Sequence, residues 1–365
     1  MASFDEVLKD CTKLGTKIPT SEYLENGKHP IIDQGQNDIA GYYDSDNGLF
    51  KDVPAIVFGD HTRVVKYVDK PCFLGADGVK LLYPVDKDIN CKYLFYQLSY
   101  ADIPNTGYNR HFKWVKALDF KIPSSDEQNH VVEVLDKVTE LISLRKQQLA
   151  KLDELVKARF VEMFGDLVVG DKIQTSKKKI GEIASVTKLA GFEFTKYIQY
   201  KEHGDIIMLR GLNCKQGKLI LDDVKWIARE TSDLLPRSKL YYGDILMTYA
   251  GTIGDVAMVD ENDKYHLAPN VAKVSINNKK AYNPIFLMYL FLYSNDYIMR
   301  FASQVAQASI NMEKIRNFEY YFPDVTFQNQ FATFVERVDQ QKQTVQQSLE
   351  KLELMKKALM QEFFG

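Results

Sequence analysis

The segment PSSDEQNHVVEVLDKVTELISLRKQQLAKLDELVKARFVEMFG, residues 123–165, recurs 200 residues later as PDVTFQNQFATFVERVDQQKQTVQQSLEKLELMKKALMQEFFG, residues 323–365, without a gap. Thirteen of the 43 positions are identical, whereas background residue frequencies would give about three. No Pro or Gly interrupts about 38 residues of either copy, so each predicts one long helix that a glycine closes. At about 1.5 Å per residue, each helix would be roughly 57 Å long.

Apolar residues follow a heptad in both copies, and the polar interruptions of the two heptads are complementary. The first copy has Arg145 and Arg159 at core positions where the second copy is apolar, and the second has Lys342 and Lys356 where the first is apolar. Complementary core positions of this kind favour pairing of the two helices with each other over pairing of either helix with a copy of itself. The alternative is that each helix packs separately on its own domain.

The repeat extends weakly upstream of each helix. Residues 59–82 match residues 251–274 at a shift of 192, and both segments alternate as strands around a turn that contains glycine. Farther on, Asn90 and Asn283 each open a short aromatic helix, YLFYQL and FLMYLFLY. The chain therefore consists of a domain and a helix, used twice.

We predict an α+β fold with two tandem mixed α/β domains, each followed by a long helix. The two helices are expected to pair as an antiparallel coiled coil with pseudo-two-fold symmetry. The predicted limits are residues 1–123 for the first domain, 124–165 for the first helix, 166–323 for the second domain and 324–365 for the second helix.

Composition narrows the class of protein. Four separated cysteines, without a C-x-x-C pair or a suitably spaced His, indicate reduced structural thiols rather than a zinc site. The N-terminus lacks the pattern of a secretory signal, and the longest apolar stretch, residues 284–293, falls short of the roughly 20 residues that cross a bilayer. We expect a cytoplasmic protein with no membrane association.

Catalytic motifs are missing from the sequence. It contains no phosphate loop, no G-x-S-x-G elbow and no H-E-x-x-H pair, and no metal site stands out. Asn283-Pro284-Ile285-Phe286 resembles the loop with which amino-methyltransferases hold a target base. It directly opens an apolar helix, however, where proline in the first turn is ordinary helix initiation. The sequence predicts neither a catalytic residue nor a bound metal or cofactor.

Loops that combine Arg, Lys, Asn and aromatic residues with glycine are candidates for contacting DNA. Arg can donate two hydrogen bonds to guanine, and Asn pairs with adenine, while cations reach phosphates. The net charge of −2 means that such contacts must be local. Taken singly, each residue is better explained as solvated surface, and Lys177–Lys179 as a solvated linker. The candidates are His61, Thr62, Arg63, Lys66, Asn109, Arg110 and Lys113 in the first domain, and Arg210, Asn213, Lys215, Lys218, Thr248, Tyr249 and Thr252 in the second.

Together these features resemble the specificity subunit of type I restriction-modification systems. Each variable domain ends in I-P or F-P, and a short polar stretch with Gln, a long helix and a terminal F-G follow. GDHTRVVKYVDKPCFLGADG (residues 59–78) and YYGDILMTYAGTIGDVAMV (residues 241–259) are similar to segments of target recognition domains in that family. The resemblance covers essentially the whole chain.

The resemblance implies a binding subunit without a catalytic site. Each target recognition domain would read one half of a split site in double-stranded DNA, and the helices would set the spacing and dock two DNA-methyltransferase subunits. ATP-dependent restriction subunits would join where present. S-adenosylmethionine would bind the methyltransferase, and ATP and magnesium the restriction subunits. Two recognition domains held apart by the long helices could enter the major groove on successive turns of DNA, which are about 34 Å apart.

Two other classes of protein stay open at this point. The chain could be an enzyme, either a methyltransferase that uses the Asn283 loop or a fragment of a restriction-methylation protein. It could also be a coiled-coil scaffold unrelated to DNA. Methyl transfer by the purified chain would favour the first class, and absence of salt-dependent DNA binding with methyltransferase supplied would favour the second.

Overall fold

The computed structural model describes residues 1–173, 175–303 and 308–365. The chain forms two compact units. Unit 1 comprises Met1–Gln148 with Val345–Gly365, and unit 2 comprises Leu149–Thr344. The boundaries fall inside the two long helices, so each unit holds one predicted domain, the first part of the helix that follows it and the last part of the other helix. The predicted limits of the two domains and the two helices stay predictions.

Both long helices are present as single elements of 40 residues, about 60 Å each. In unit 1 the remaining helices and strands precede the first long helix. They are β1 Ala2–Ser3, α1 Phe4–Val7, β2 Leu8–Asp10, β3 Lys17–Ile18, β4 His29–Ile32, β5 Gly41–Tyr43, β6 Ala55–Gly59, β7 Val65–Val68, β8 Phe73–Gly75, β9 Val79–Pro84, α2 Cys91–Tyr100, α3 Phe112–Val115, β10 Asp119–Phe120 and the long helix α4 Ser125–Phe164.

The elements of unit 2 follow the same plan, with an additional hairpin. They are β11 Lys177–Lys179, α5 Ile180–Ile183, β12 Ala184–Lys188, α6 Gly191–Tyr197, β13 Ile206–Leu209, β14 Cys214–Lys215, β15 Lys218–Leu219, β16 Lys225–Ile227, α7 Arg229–Asp233, β17 Ile245–Thr248, β18 Val256–Met258, β19 Tyr265–Leu267, β20 Val271–Ile276, α8 Pro284–Tyr293, α9 Asn295–Met299, α10 Met312–Arg316, β21 Glu319–Tyr321 and the long helix α11 Val325–Phe364.

One four-stranded sheet recurs in the two units. Unit 1 contains a four-stranded sheet in the order β2-β9-β6-β7, and unit 2 contains its counterpart in the order β12-β20-β17-β18. The shift of 192 residues places β8 on β19 and β9 on β20 residue for residue. The alternating strands and turns predicted from the sequence are therefore confirmed, and the turn after β6 corresponds to the turn after β17.

Local sequence explains where the long helices begin and end. The Ser124 backbone N–H and hydroxyl both donate to Glu127 Oε2, at 3.0 and 2.8 Å, which closes the start of α4 as a capping box and lowers the pKa of that carboxyl. At the other end, Gly165 has a φ of +63° and its N–H donates to the Val161 carbonyl. A glycine suits this left-handed position because it has no Cβ.

Within unit 1 the first part of α4 runs antiparallel to the last part of α11. Leu135 and Met360 lie in one apolar cluster, whereas farther along α4 Arg145 Nε donates to Ser348 Oγ at 3.3 Å. The Lys356 ammonium lies over the Tyr96 ring, 5.9 Å from its centre, and burial lowers the pKa of this lysine. The prediction that the helices pair with each other is thus confirmed, and separate packing is excluded.

The same antiparallel pairing occurs in unit 2. Lys342, an interruption of the heptad, is buried with its Nζ 2.6 Å from Asp153 Oδ1 and 3.5 Å from Asp339 Oδ1. Farther along, Phe160 packs edge-on against Phe331 at a centroid distance of 5.3 Å. A buried lysine is tolerated between the two helices because two carboxylates reach its ammonium.

An aromatic residue at the end of each long helix packs on a short aromatic helix. In unit 2, Phe164 at the end of α4 lies 5.1 Å from Phe286 of α8. In unit 1, Phe364 at the end of α11 lies 5.3 Å from Tyr93 of α2. Each domain therefore carries the beginning of its own helix and receives the end of the other.

One linker prediction is wrong. Lys177–Lys179 forms strand β11, paired antiparallel with β21, and is not an irregular linker. The side chains are exposed, and Lys178 Nζ donates to the Tyr282 hydroxyl at 2.9 Å. Pairing with residues 319–321 outweighs the weak strand propensity of three lysines. The local sequence does not show this pairing.

Candidate nucleic-acid interface

The turn between β6 and β7 carries three of the residues predicted to contact DNA, His61, Thr62 and Arg63. Asp60 N–H donates to the Gly78 carbonyl at 2.6 Å, and Arg63 N–H donates back to the Gly59 carbonyl at 2.7 Å. Arg63 has a φ of +62°, an uncommon conformation for a residue with a Cβ. The turn is therefore held in one conformation, which aims His61 and Thr62 outward.

A second loop, residues 102–111, lies against this turn. His61 Nδ1 is 3.2 Å from the Asn109 carbonyl oxygen, and the His61 ring stacks on Tyr108 with centroids 4.7 Å apart and planes inclined by 8°. Tyr108 is 88% exposed, so one face of its ring covers His61 while the remainder meets solvent. The loop thus presents a tyrosine ring supported from behind.

His111 anchors this second loop. It is fully buried: its Nδ1 lies 2.9 Å from the Asp60 carbonyl oxygen and its Nε2 lies 3.3 Å from the Thr106 N–H nitrogen. Asp60 also accepts a hydrogen bond from the Phe112 N–H at 2.7 Å. The imidazole joins the 102–111 loop to the β6–β7 turn, so the two segments form one surface.

A third loop, residues 33–39, completes the surface from the other side. Gln34 Oε1 accepts from the His61 N–H at 3.2 Å, and its backbone carbonyl accepts from the Thr62 hydroxyl at 2.6 Å. Lys66 Nζ donates to the Asn37 carbonyl at 2.5 Å and lies 3.3 Å from Asp33 Oδ1. We call residues 33–39, 60–64 and 102–111 the loop cluster of unit 1.

The predicted residues of the first domain occupy different environments. Thr62, Asn109, Arg110 and Lys113 are exposed, and His61 and Arg63 are partly exposed. Arg63 Nη1 donates to the Ile103 carbonyl at 3.0 Å, so its guanidinium supports the 102–111 loop. Lys66 is 5% exposed, with its ammonium bonded to Asn37 and Asp33. In this arrangement Lys66 fastens a loop and its ammonium does not face solvent, which corrects its prediction as a contact.

In unit 2 the predicted residues lie on two neighbouring segments. Lys215 and Lys218 flank the tight turn of the β14–β15 hairpin, in which Gln216 and Gly217 both have positive φ. Gly217 N–H donates to the Val256 carbonyl at 2.9 Å, which places the hairpin beside the strand that follows the β17–β18 turn. Both lysines are exposed, as is Thr252 in that turn.

Three other predicted residues of unit 2 have their polar groups bonded within the protein. Asn213 is fully buried: its Oδ1 accepts from the Arg210 N–H at 3.0 Å, and its Nδ2 donates to the Ile220 carbonyl at 2.7 Å. Thr248 is also fully buried, and its hydroxyl donates to the Thr252 carbonyl. Arg210 is partly exposed, and its Nη2 lies 2.9 Å from Asp223 Oδ1. The prediction of Asn213 and Thr248 as contacts is corrected in the same way as that of Lys66.

Tyr249 is the remaining predicted residue of the second domain. It is partly exposed in the turn after β17, and the Lys188 ammonium lies 5.4 Å from the centre of its ring. The ring is therefore positioned beside a cation, next to the exposed Thr252.

Sequence reasoning missed Tyr108, His111 and Gln34. Tyr108 follows Gly107, whose φ is +78°, within the polar run NTGYNR, so an aromatic residue beside a turn glycine was the available signal. His111 and Gln34 gave no local signal, because their partners lie 51 and 27 residues away. The sequence contains the side chains but not the long-range contacts that place them.

Asn283 has an ordinary structural role. Its Oδ1 accepts from the Ile285 and Phe286 N–H groups at 2.9 and 3.3 Å, which is an N-cap of α8, and its Nδ2 donates to Asn329 Oδ1 at 2.8 Å. The side chain is thus bonded on both sides within the protein. This geometry favours helix initiation over a methyltransferase base-binding loop.

Metal and thiol chemistry find little support in the residues that the structure describes. Among them, no group of three or more His, Cys, Asp or Glu side chains is arranged to hold a metal ion. The four cysteines are free thiols, and burial raises the pKa of Cys72, Cys91 and Cys214 to about 12. No helix within the described ranges is long and apolar enough to span a bilayer.

Two mixed α/β domains that present polar loops, each joined to a 40-residue helix, define a class of tandem recognition proteins. The chain belongs to the family of the type I restriction modification DNA specificity domain, whose model matches residues 5–154 and again residues 174–354. The two matches correspond to the two copies of the repeat.

Individual relatives agree with this assignment. The type I restriction enzyme EcoBI specificity subunit of Escherichia coli is 25% identical over 242 residues, which cover 60% of this chain and 50% of that protein. The chain thus spans about half the length of the curated relative that it matches.

Solved structures share the fold. The S subunit of a type I restriction-modification system from M. genitalium superimposes with a TM-score of 0.58 at 16% identity, covering 100% of this chain and 95% of that one. A chain from a study of complex assembly and conformational transition of the type I R-M system gives a TM-score of 0.57 at 12% identity, with the same coverage. Both likenesses concern the fold.

Proposed function

We propose that this chain is the DNA-reading subunit of a type I restriction-modification complex. Each unit reads one half of a split site in double-stranded DNA, and the paired helices fix the length of the unread spacer. The observation that carries the proposal is the duplicated unit, which presents polar loops at equivalent turns and matches the specificity-domain model twice.

The loop cluster of unit 1 has the chemistry that reads base edges. It exposes Asn109 and Arg110 beside Tyr108, and Asn and Arg are the side chains that pair in two-pronged fashion with adenine and guanine. The buried His111 anchor holds these groups in place before DNA arrives. A preorganised surface loses less conformational entropy on binding, which favours specific recognition.

The surface of unit 2 differs in that it offers two lysine ammonium groups on a hairpin. Lys215 and Lys218 stand on a rigid hairpin next to the exposed Thr252. Ammonium groups bind phosphate oxygens at any sequence, whereas Thr252 and Tyr249 can approach a base edge. Unit 2 is thereby suited to positioning on the backbone as well as to reading.

The helix pair also suits docking of two DNA-methyltransferase subunits. Its side chains in unit 1 include Leu141, Leu144, Leu354 and Met355, exposed by 43, 49, 68 and 51% respectively. Two of these exposed apolar side chains lie on α4 and two on α11, and exposed apolar surface of this kind suits protein–protein contact. ATP-dependent restriction subunits join the assembly through the methyltransferases or the helices.

The chain itself has no catalytic role in this proposal. S-adenosylmethionine belongs to the methyltransferase subunits, and ATP and magnesium belong to the restriction subunits. The role of Asn283 as a helix cap supports this division. The purified chain is expected to transfer no methyl group, and detectable transfer would contradict the division.

Co-expression with its methyltransferase, followed by mapping of methylated bases across a genome, tests the proposal. The expected result is two short defined sequences separated by a fixed number of undefined bases. A contiguous site, or no site at all, would overturn the proposal.

Two constructions separate the role of the domains from that of the helices. Replacing residues 1–123 by another recognition domain should alter one half-site only, and a change in both would argue against independent readers. Lengthening a long helix by one turn, about 5.4 Å, should change the spacer and leave both half-sites intact. An unchanged spacer would show that the helices do not set the spacer length.

A further inference from the structure

A small network of hydrogen bonds joins each recognition domain to the beginning of its long helix. In unit 1, Gln128 Oε1 accepts from the Asn90 N–H at 2.9 Å and Gln128 Nε2 donates to the Pro123 carbonyl at 2.9 Å. Asn90 Nδ2 donates to Asn129 Oδ1 at 2.8 Å, while Asn90 Oδ1 caps α2. We call Asn90, Pro123, Gln128 and Asn129 the latch of unit 1.

Unit 2 contains the same latch, bond for bond. Gln328 Oε1 accepts from the Asn283 N–H at 2.9 Å and Gln328 Nε2 donates to the Pro323 carbonyl at 2.8 Å. Asn283 Nδ2 donates to Asn329 Oδ1 at 2.8 Å. All four residue types recur at equivalent positions, although Pro123–Gly165 and Pro323–Gly365 differ at 30 of their 43 positions.

The two glutamines are almost completely buried, at 2 and 0% exposure, whereas the asparagines on the long helices are exposed. A buried amide needs hydrogen-bond partners, and both ends of each glutamine find them across the joint between domain and helix. The glutamine can be satisfied only while α2 or α8, the proline segment and the long helix keep one relative orientation.

Apolar packing at the same joint does not impose that orientation by itself. In unit 1, Val131 and Leu135 of α4 share a cluster with Leu94 of α2. Such packing is non-directional and holds two elements together over a range of angles, whereas hydrogen bonds weaken steeply when their angle changes. The packing therefore holds α2 and α4 together, and the latch fixes their relative orientation.

We propose that the two latches are positioning residues that fix the angle of each recognition domain on its long helix, and that they determine how sharply the complex discriminates spacer length. This inference rests on the proposed function. A domain free to tilt on its helix would reach its half-site at neighbouring spacings, although its reading loops are unchanged.

Spacer-length profiles test the inference directly. The full chain, co-expressed with its methyltransferase, is assayed on DNAs that carry both mapped half-sites separated by spacers one base pair shorter, equal and one base pair longer. In Gln128→Leu and in Gln328→Leu, methylation at the altered spacers relative to the native spacer should rise at least about tenfold, because both hydrogen bonds of the glutamine are lost. The half-site sequences should not change.

Exposed Asn129 provides a second pair of variants that should fold even where a buried substitution fails. Asn129→Leu removes the acceptor for Asn90 Nδ2 and should broaden the spacer profile, whereas Asn129→Asp keeps an acceptor oxygen and should retain the wild-type profile. Asn329→Leu and Asn329→Asp repeat this comparison in unit 2.

The possible outcomes separate the inference from the function beneath it. Folded variants with lower thermal stability but a wild-type spacer profile would show a merely structural role and overturn the inference alone. A wild-type complex that methylates no split site would overturn the proposed function, and the inference with it. Broadening in the Leu variants with retention in the Asp variants supports both.

Discussion

The proposed reading surfaces of the two units stand on equivalent sheets but have different chemistry. In unit 1, three loops interlock through His61, Gln34 and His111 and expose amide, guanidinium and aromatic groups. In unit 2, a two-stranded hairpin carries Lys215 and Lys218 beside the equivalent turn. Two equivalent four-stranded sheets, in the orders β2-β9-β6-β7 and β12-β20-β17-β18, support these surfaces.

This difference shows which parts of the fold can vary without cost to the rest. The four-stranded sheet, the latches and the packing of Phe164 and Phe364 on a short aromatic helix repeat in the two units. The loops beyond β6 and β17 do not. A scaffold that positions loops without depending on their sequence allows two different half-sites to be read by one architecture.

Removing the His111 imidazole should have the largest effect and should be confined to unit 1. In His111→Ala the Asp60 carbonyl and the Thr106 N–H lose their shared partner, so the 102–111 loop loosens and several base contacts weaken together. Because each good base contact contributes about 1–3 kcal/mol, affinity for half-site 1 should fall roughly 100-fold. Binding titrations with one half-site altered at a time measure this.

The repeat offers a matched control for that variant. Asn311 occupies the position 200 residues later and caps α10 through the Lys314 N–H at 2.8 Å. Asn311→Ala should cost about 1 kcal/mol of stability and leave half-site 1 unaffected. Equal losses at both half-sites in His111→Ala would mean that His111 supports the whole chain rather than one reader.

Truncating Tyr108 should have the next largest effect. Tyr108→Ala removes an exposed ring that is already stacked on His61, so its contact with DNA requires little reorganisation. A well-placed contact with a base edge contributes about 1–3 kcal/mol, which predicts about a tenfold loss of affinity for half-site 1. Tyr108→Phe keeps the ring and should bind nearly as well. If Phe were as weak as Ala, the hydroxyl rather than the stacked ring would be the contact.

The cations of unit 2 should determine salt dependence rather than sequence preference. Within residues 1–173, 175–303 and 308–365 the ion pairs found do not include Lys215 or Lys218. Each lysine that binds a phosphate contributes about 0.9 to the slope of log affinity against log salt concentration. Lys215→Ala and Lys218→Ala should each reduce that slope by about this amount, whereas Asn109→Ala should leave the slope unchanged and lower affinity for half-site 1.

The sequence predicted the elements that depend on local pattern. The heptads, the terminal glycine and the asparagine caps each involve residues that are close in sequence. The long helices and the short aromatic helices were found where predicted. Individual contact residues were harder, because residue type does not reveal burial. Lys66, Asn213 and Thr248 lie close in sequence to turns rich in glycine and polar residues. Their polar groups are nevertheless bonded inside the protein, to partners up to 33 residues away.

Lys66 allows a last comparison, between a buried lysine and the surface lysines of unit 2. Lys66→Met keeps most of the side-chain volume but leaves the partly buried Asp33 carboxylate and the Asn37 carbonyl without the ammonium. An unpaired buried polar group costs about 1–3 kcal/mol, so thermal unfolding of unit 1 should shift downward. The salt slope of DNA binding should not change, because this ammonium does not reach a phosphate. A slope reduced as in Lys218→Ala would show instead that Lys66 leaves its pocket when DNA binds.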